Sequence, residues 1–139
     1  MKILKINRQK WGVGDEGGSL LNKDTRKYCC LGFFAKQVGY RDNDISQIGS
    51  PSDFVTAIDE PSKRTKRIEK LKPLLTVEKN NFASDNRICK NLMSVNDSKS
   101  DHYKNPKKRE SRITELFKQI GITVKFSGEY PKRMMNNYG

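Results

Sequence analysis

Apolar residues recur with a helical period in several stretches of the chain, and most of those stretches carry their own stop signals. From Tyr28 to Val38 the sequence reads Tyr-Cys-Cys-Leu-Gly-Phe-Phe-Ala-Lys-Gln-Val, with Leu31, Phe34, Ala35 and Val38 at i, i+3, i+4 and i+7. One apolar face of that kind predicts a helix, ended by Gly39. Gly32 within it costs about 1 kcal/mol relative to alanine, so its expected use is to let another backbone pass close by. Pro61 and Ser62 open a second predicted helix, running to residue 72 with Ile68, Leu71 and Leu75 as a thin stripe before Pro73 interrupts it. Ser84 or Asp85 is placed to cap a third, in which Ile88, Leu92 and Val95 keep the spacing and Asn96-Asp97-Ser98 ends it. The clearest helix follows Pro106, with Ile113, Leu116, Phe117 and Ile120 on one face and Gly121 as a left-handed cap.

Strand patterning is confined to two places. Lys2 to Ile6 is short and partly alternating, and Ile122-Thr-Val-Lys-Phe126 alternates over five residues directly after the glycine-closed helix. A strand that folds back from that helix can pair with residues 2–6. Gly12, Gly14, Gly17 and Gly18 mark residues 12–18 as a flexible turn region, and residues 40–60 and 98–106 read as polar loop, the former with one short element. The expected architecture is therefore a small single α+β domain over residues 1–126, with three to four helices and a short sheet, followed by a polar basic tail over 127–139.

Composition narrows the function classes. The 139 residues fit one domain, and with 34% apolar and 32% charged residues the core is modest. No window approaches the roughly 18 apolar residues of a membrane span, and the N-terminal segment lacks a signal-type apolar region, so a cytoplasmic protein with no membrane partner is expected. Three cysteines, two adjacent, cannot form a closed disulfide set. Charge is distributed unevenly. Residues 1–60 carry 9 Lys/Arg and 8 Asp/Glu, whereas residues 61–139 carry 19 and 8. An excess of that size points to an anionic partner, although a basic surface can also serve solubility alone.

Two basic clusters are the candidate ligand-binding residues: Lys63, Arg64, Lys66 and Arg67, and then Lys104, Lys107, Lys108, Arg109 and Arg112 at the mouth of the last helix. Arginine forks grip phosphate in pairs of hydrogen bonds and lysine adds point charge, so clusters converging on one surface would make a groove for a nucleic-acid backbone or a nucleotide. Asn96, Asp97 and Tyr103 are the candidate pocket residues. Tyr103 offers a stacking ring, whereas Asn96-Asp97 also suits plain helix capping. Positive charge at the start of the last helix opposes its N-terminal field, and a bound anion would relieve that conflict.

Catalytic groups are scarce. Adjacent Cys29 and Cys30 diverge by about 100° on a helix, and with Cys89 and His102 they show no zinc-site spacing, so small core residues are the expected reading and neither metal nor cofactor is expected. The glycines of 12–18 lack the Lys-Ser/Thr of a phosphate loop and include Asp15 and Glu16. An enzyme would have to be assembled from groups scattered in sequence, such as Cys30, Asn96, Asp97 and His102.

Several segments together resemble a group of small proteins encoded by tailed bacteriophages and prophages: Trp11 before the glycine-rich stretch and Leu20-Leu21, Cys29-Cys30-Leu31-Gly32-Phe33, Leu92-Met93-Ser94-Val95-Asn96-Asp97, Arg109-Glu110 leading to Leu116-Phe117, and Gly121-Ile122-Thr123-Val124-Lys125-Phe126. The resemblance spans most of residues 7–126 and leaves out 60–82 and the tail. It implies a phage origin and the cytoplasm of an infected bacterium, and it supplies no catalytic residues. The expected function is a non-enzymatic accessory protein, serving host takeover or counter-defence, that binds nucleic acid or a nucleotide signal through its basic second half. The alternative is an inhibitor docking on an acidic surface of a host defence or nucleic-acid-processing protein.

Overall fold

Residues near opposite ends of the sequence close the fold. In a computed structural model, which describes residues 2–59 and 65–135, strand β1 (Ile3–Asn7) pairs in parallel with β4 (Thr123–Ser127), Ile3 opposite Thr123 and Asn7 opposite Ser127. The expected pairing of the two terminal strands is thus present, shifted by one residue at each. Seven helices lie among the described residues: α1 (Cys30–Val38), α2 (Asp42–Ile45), α3 (Asp53–Ala57), α4 (Lys66–Lys70), α5 (Arg87–Asp97), α6 (Pro106–Lys118) and α7 (Lys132–Met135). The class is α+β, as the periodicities predict. None of these helices is long and apolar enough to cross a membrane.

The three long helices are the ones with a readable face. α1 buries Leu31, Phe34, Ala35 and Val38 and stops at Gly39, whose φ of 116° is the left-handed conformation glycine adopts without strain. A Cβ at Gly32 would collide with the Leu20 carbonyl oxygen, so the helix start and the 20–21 segment touch main chain to main chain. α5 is capped by Asn86, whose Oδ1 accepts from the Cys89 N–H at 2.9 Å, in place of the expected Ser84 or Asp85. α6 begins with Asn105 as cap and Pro106 in its first turn, and Gly121, at φ 79°, turns the chain into β4. Each fully buried Leu, Ile or Phe on these faces contributes about 1.5–3 kcal/mol. Phe34 of α1 stacks on Phe117 of α6 at 6.1 Å between centroids.

Five expectations change. Residues 40–60 hold two short helices, α2 and α3, which bury Ile45, Phe54 and Val55. The predicted 61–72 helix is observed only as α4, capped by Thr65. Pro61 to Arg64 lie outside the described residues, and Leu75 belongs to the next element. That element is a hairpin, β2 (Leu75–Glu78) and β3 (Asn81–Asp85), absent from the sequence reading because its turn is Lys79-Asn80 and not a glycine dipeptide. Within the 98–106 segment, residues 101–104 form a 3-10 turn. The boundary at 126 also moves: Met134 is buried, and Arg133 donates to the Trp11 carbonyl at 2.6 Å, so the described part of the tail packs on the domain.

Candidate functional site

Several motifs far apart in the sequence meet in the interior. Asn96, the penultimate residue of α5, is fully buried and uses its whole amide. Its Oδ1 accepts from Trp11 Nε1 at 2.8 Å and from the Cys30 N–H at 3.0 Å, and its Nδ2 donates to the Gly12 carbonyl at 2.9 Å and to Asp97 Oδ1 at 3.0 Å. One side chain therefore ties the 11–12 segment, the start of α1 and the end of α5. Gly17 presses against Asp97 so closely that a Cβ would overlap its carboxylate, which makes the 12–18 segment a fitted strap where the glycine content predicts a flexible loop. Asn96 is thus removed from the candidate pocket residues, because it has no polar atom left for a ligand.

Arg109 lies in the same interior. It is 4% exposed, and its guanidinium donates to four carbonyls: Val95 and Asn96 at 2.6 Å each, Ser98 at 2.7 Å and Tyr103 at 3.1 Å. The last carbonyls of a helix have no intrahelical partner, and here an arginine from α6 caps the end of α5. Desolvation holds its pKa below the ordinary arginine value. The expectation that Arg109 binds phosphate is corrected, since four of its five N–H groups are engaged in the fold.

The two basic clusters have different surroundings. Arg67 of α4 turns inward to buried Asp59, 3.2 Å away, and lies over the Tyr40 ring. The Asp59 hydrogen bond raises its pKa. Lys66 is exposed, and Lys63 and Arg64 are outside the described residues. Among the described residues, Lys66 and Arg67 line none of the three clefts that hold members of the second cluster. What the fold does gather is Lys107, Lys108 and Arg112 of the second cluster. Lys107 and Lys108 are exposed in the first turn of α6, where no acidic residue offsets them, and Arg112 follows one turn later, 3.0 Å from Glu115. With His102, Tyr103, Ser111 and Glu115 they line a shallow open groove of about 360 Å³. Lys104 lines a different cleft and is paired with Asp101 at 3.0 Å. The Tyr103 ring is half-buried, with His102 edge-on at 4.7 Å and the Arg109 guanidinium 5.7 Å away.

A deeper cleft of about 450 Å³ lies between the 13–16 strap, the 99–104 turn and the tail. Its charges are of both signs, with Lys99 paired to Asp15 at 2.7 Å and Arg133 to Glu16, and Lys104 and Arg109 also in the lining. Of the scattered catalytic groups, Cys30, Asn96 and Asp97 meet at the junction and His102 lies apart from them on the surface. Cys30 is buried with its thiol against the Leu92 carbonyl and its pKa pushed well up by burial, whereas His102 is exposed on the 101–104 turn. Burial likewise pushes Cys29 up to about 12, which leaves both thiols protonated at neutral pH. Among the described residues, no group of three or more His, Cys, Asp or Glu side chains is placed to hold a metal ion.

The sequence offers Tyr130 of the basic tail as a stacking ring but gives no sign of Arg8. Arg8 makes two 2.9 Å hydrogen bonds to Glu110 and lies 4.6 Å over the Tyr130 ring. No periodicity marks such a pair, whose members are more than 100 residues apart. The chain matches no known protein family, no curated protein and no solved structure.

Proposed function

We propose that this chain is a non-enzymatic accessory protein of a phage or prophage that binds nucleic acid through the exposed flank of α6. The observation that carries the reading is the row Lys107, Lys108 and Arg112 lining an open groove together with Tyr103. A shallow, open cationic groove suits a continuous phosphate backbone better than a single nucleotide, which binds in an enclosed pocket. The ring at its foot offers one stacking surface for an unpaired base. The unopposed lysines at the helix start are electrostatically costly there and are relieved by a bound anion.

The test is fluorescence anisotropy with a labelled single-stranded oligonucleotide. Three neutralised phosphates on a single strand give a slope of about −2 in log K against log salt, so affinity falls about 20-fold between 50 and 200 mM. The triple variant Lys107→Ala, Lys108→Ala, Arg112→Ala should remove most of that slope. Salt-independent binding, or no binding to any polynucleotide, overturns the reading. A melting-temperature rise with one mononucleotide alone would shift the ligand to the deeper cleft.

A further inference from the structure

β4 is paired along one edge only. The Thr123 N–H donates to the Lys2 carbonyl at 2.9 Å, so in the parallel ladder residues 123, 125 and 127 face β1, and Val124 and Phe126 turn their N–H and C=O groups to the opposite edge. The outer edge of β1 is treated differently. There the Lys5 N–H donates to Gln37 Oε1 at 2.8 Å and Gln37 Nε2 donates to the Ile3 carbonyl at 3.0 Å, so a side chain of α1 takes the place of a neighbouring strand. No described residue does this for Val124 or Phe126. An edge left in that state is a template for another chain.

Beside the open edge runs a groove of about 650 Å³, with Ser111, Thr114 and Lys118 of α6 on one wall and Phe126 and Tyr130 on the other. Its aromatic wall is held in place, because Arg8 lies over both rings, 5.8 Å from Phe126 and 4.6 Å from Tyr130, and is itself anchored on Glu110. That ion pair neutralises Glu110, and Arg112 neutralises Glu115, so the cations left over around the groove and the edge are exposed Lys107, Lys118 and Lys125, of which the last two lie nearest β4 in the chain. The same lysines argue against a second copy of this chain. Antiparallel self-pairing centred on β4 sets Lys125 opposite its own counterpart, and like charges directly across a ladder are destabilising.

We infer that the outer edge of β4 accepts, as a third strand lying beside α6, an extended acidic segment of a partner protein. Its main chain pairs with Val124 and Phe126, its carboxylates meet Lys125 on the outer face of the sheet, and its alternate apolar side chains rest on Phe126 and Tyr130 in the groove, where Lys118 adds positive charge. Five residues of β4 offer about 17 Å of edge, enough for a segment of similar length.

The probe is a labelled heptapeptide of alternating Glu and Val, compared with its Lys-Val counterpart, with amide hydrogen exchange followed by NMR. Saturation with the Glu-Val peptide should slow exchange at least tenfold at Val124 and Phe126 and leave Thr123 and Lys125, already bonded to β1, unchanged. The double variant Lys118→Glu/Lys125→Glu changes only exposed side chains, and circular dichroism should confirm that it folds. It should bind the Glu-Val peptide at least tenfold more weakly and now prefer the Lys-Val peptide. Absent binding, binding without protection at Val124 and Phe126, or equal affinity for the two peptides overturns the inference. So does charge reversal without effect.

Discussion

Arg109 and Arg112 stand one helical turn apart on α6, yet they belong to two different regions of the molecule. Arg109 enters the junction at the end of α5, where its guanidinium satisfies four main-chain carbonyls. Arg112 stays on the flank, with its side chain 38% exposed and one acidic neighbour. The junction also holds Asn96 with its four hydrogen bonds, and the flank holds lysines that no described acid neutralises. Sequence composition counts the two arginines alike. The difference teaches that a cationic cluster must be divided by burial before its charge is given to a ligand, because a guanidinium taken out of water must find its partners inside the fold.

Stability measurements break or sharpen this division. The largest effect is expected for Arg109→Ala, which leaves α5 without its cap and several buried carbonyls without donors. A loss of about 3–5 kcal/mol in urea unfolding is expected. Arg109→Lys should recover only part of it, since one ammonium cannot reach four carbonyls. A loss below about 1 kcal/mol would place Arg109 with the flank. Asn96→Ala removes the partner of the Trp11 indole, the Cys30 N–H and the Gly12 carbonyl, and should cost about 3 kcal/mol. Trp11→Phe, which deletes one of those bonds, should cost about 1–2 kcal/mol. Gly32→Ala forces a methyl against the Leu20 carbonyl and should cost about 2 kcal/mol, by separating α1 from the 20–21 segment.

A pH titration addresses the interior from another side. Cys29 and Cys30 have pKa values raised by burial above the ordinary thiol value of 9.0, Cys29 to about 12. A raised value in the folded state means stability that is complete below pH 9 and declines as pH climbs toward 12, because only the unfolded chain releases those protons readily. By pH 10 each thiol should cost about 1 kcal/mol, read as a fall in the urea midpoint that Cys29→Ala or Cys30→Ala makes shallower. The smallest effect belongs to the flank: Lys107→Ala, Lys108→Ala and Arg112→Ala should each change stability by no more than about 0.5 kcal/mol. A larger loss in any of them would show that the flank also holds the fold.

Much of the architecture is legible in the chain because it is written at short range. The faces of α1, α5 and α6, the left-handed glycines at 39 and 121, and the strand after the last helix all follow from residues within one or two turns of each other. The tightness at Gly32 was legible too, since a glycine inside a helix needs a reason. The β2–β3 hairpin was not, because Lys79-Asn80 is a weak turn signal and the strands alternate poorly. The candidate site divides in the same way. Local sequence marks the exposed lysines of α6 and the tyrosine beside them. Long-range packing sends Arg109 to the end of α5, turns Arg67 to Asp59, places Asn96 among three segments and covers one edge of the small sheet with Gln37 while leaving the other open. Helical periodicity and caps depend on neighbours along the chain. The fate of a charged or amide side chain depends on which distant carbonyls the folded chain brings within 3 Å of it, and no spacing in the sequence records that distance.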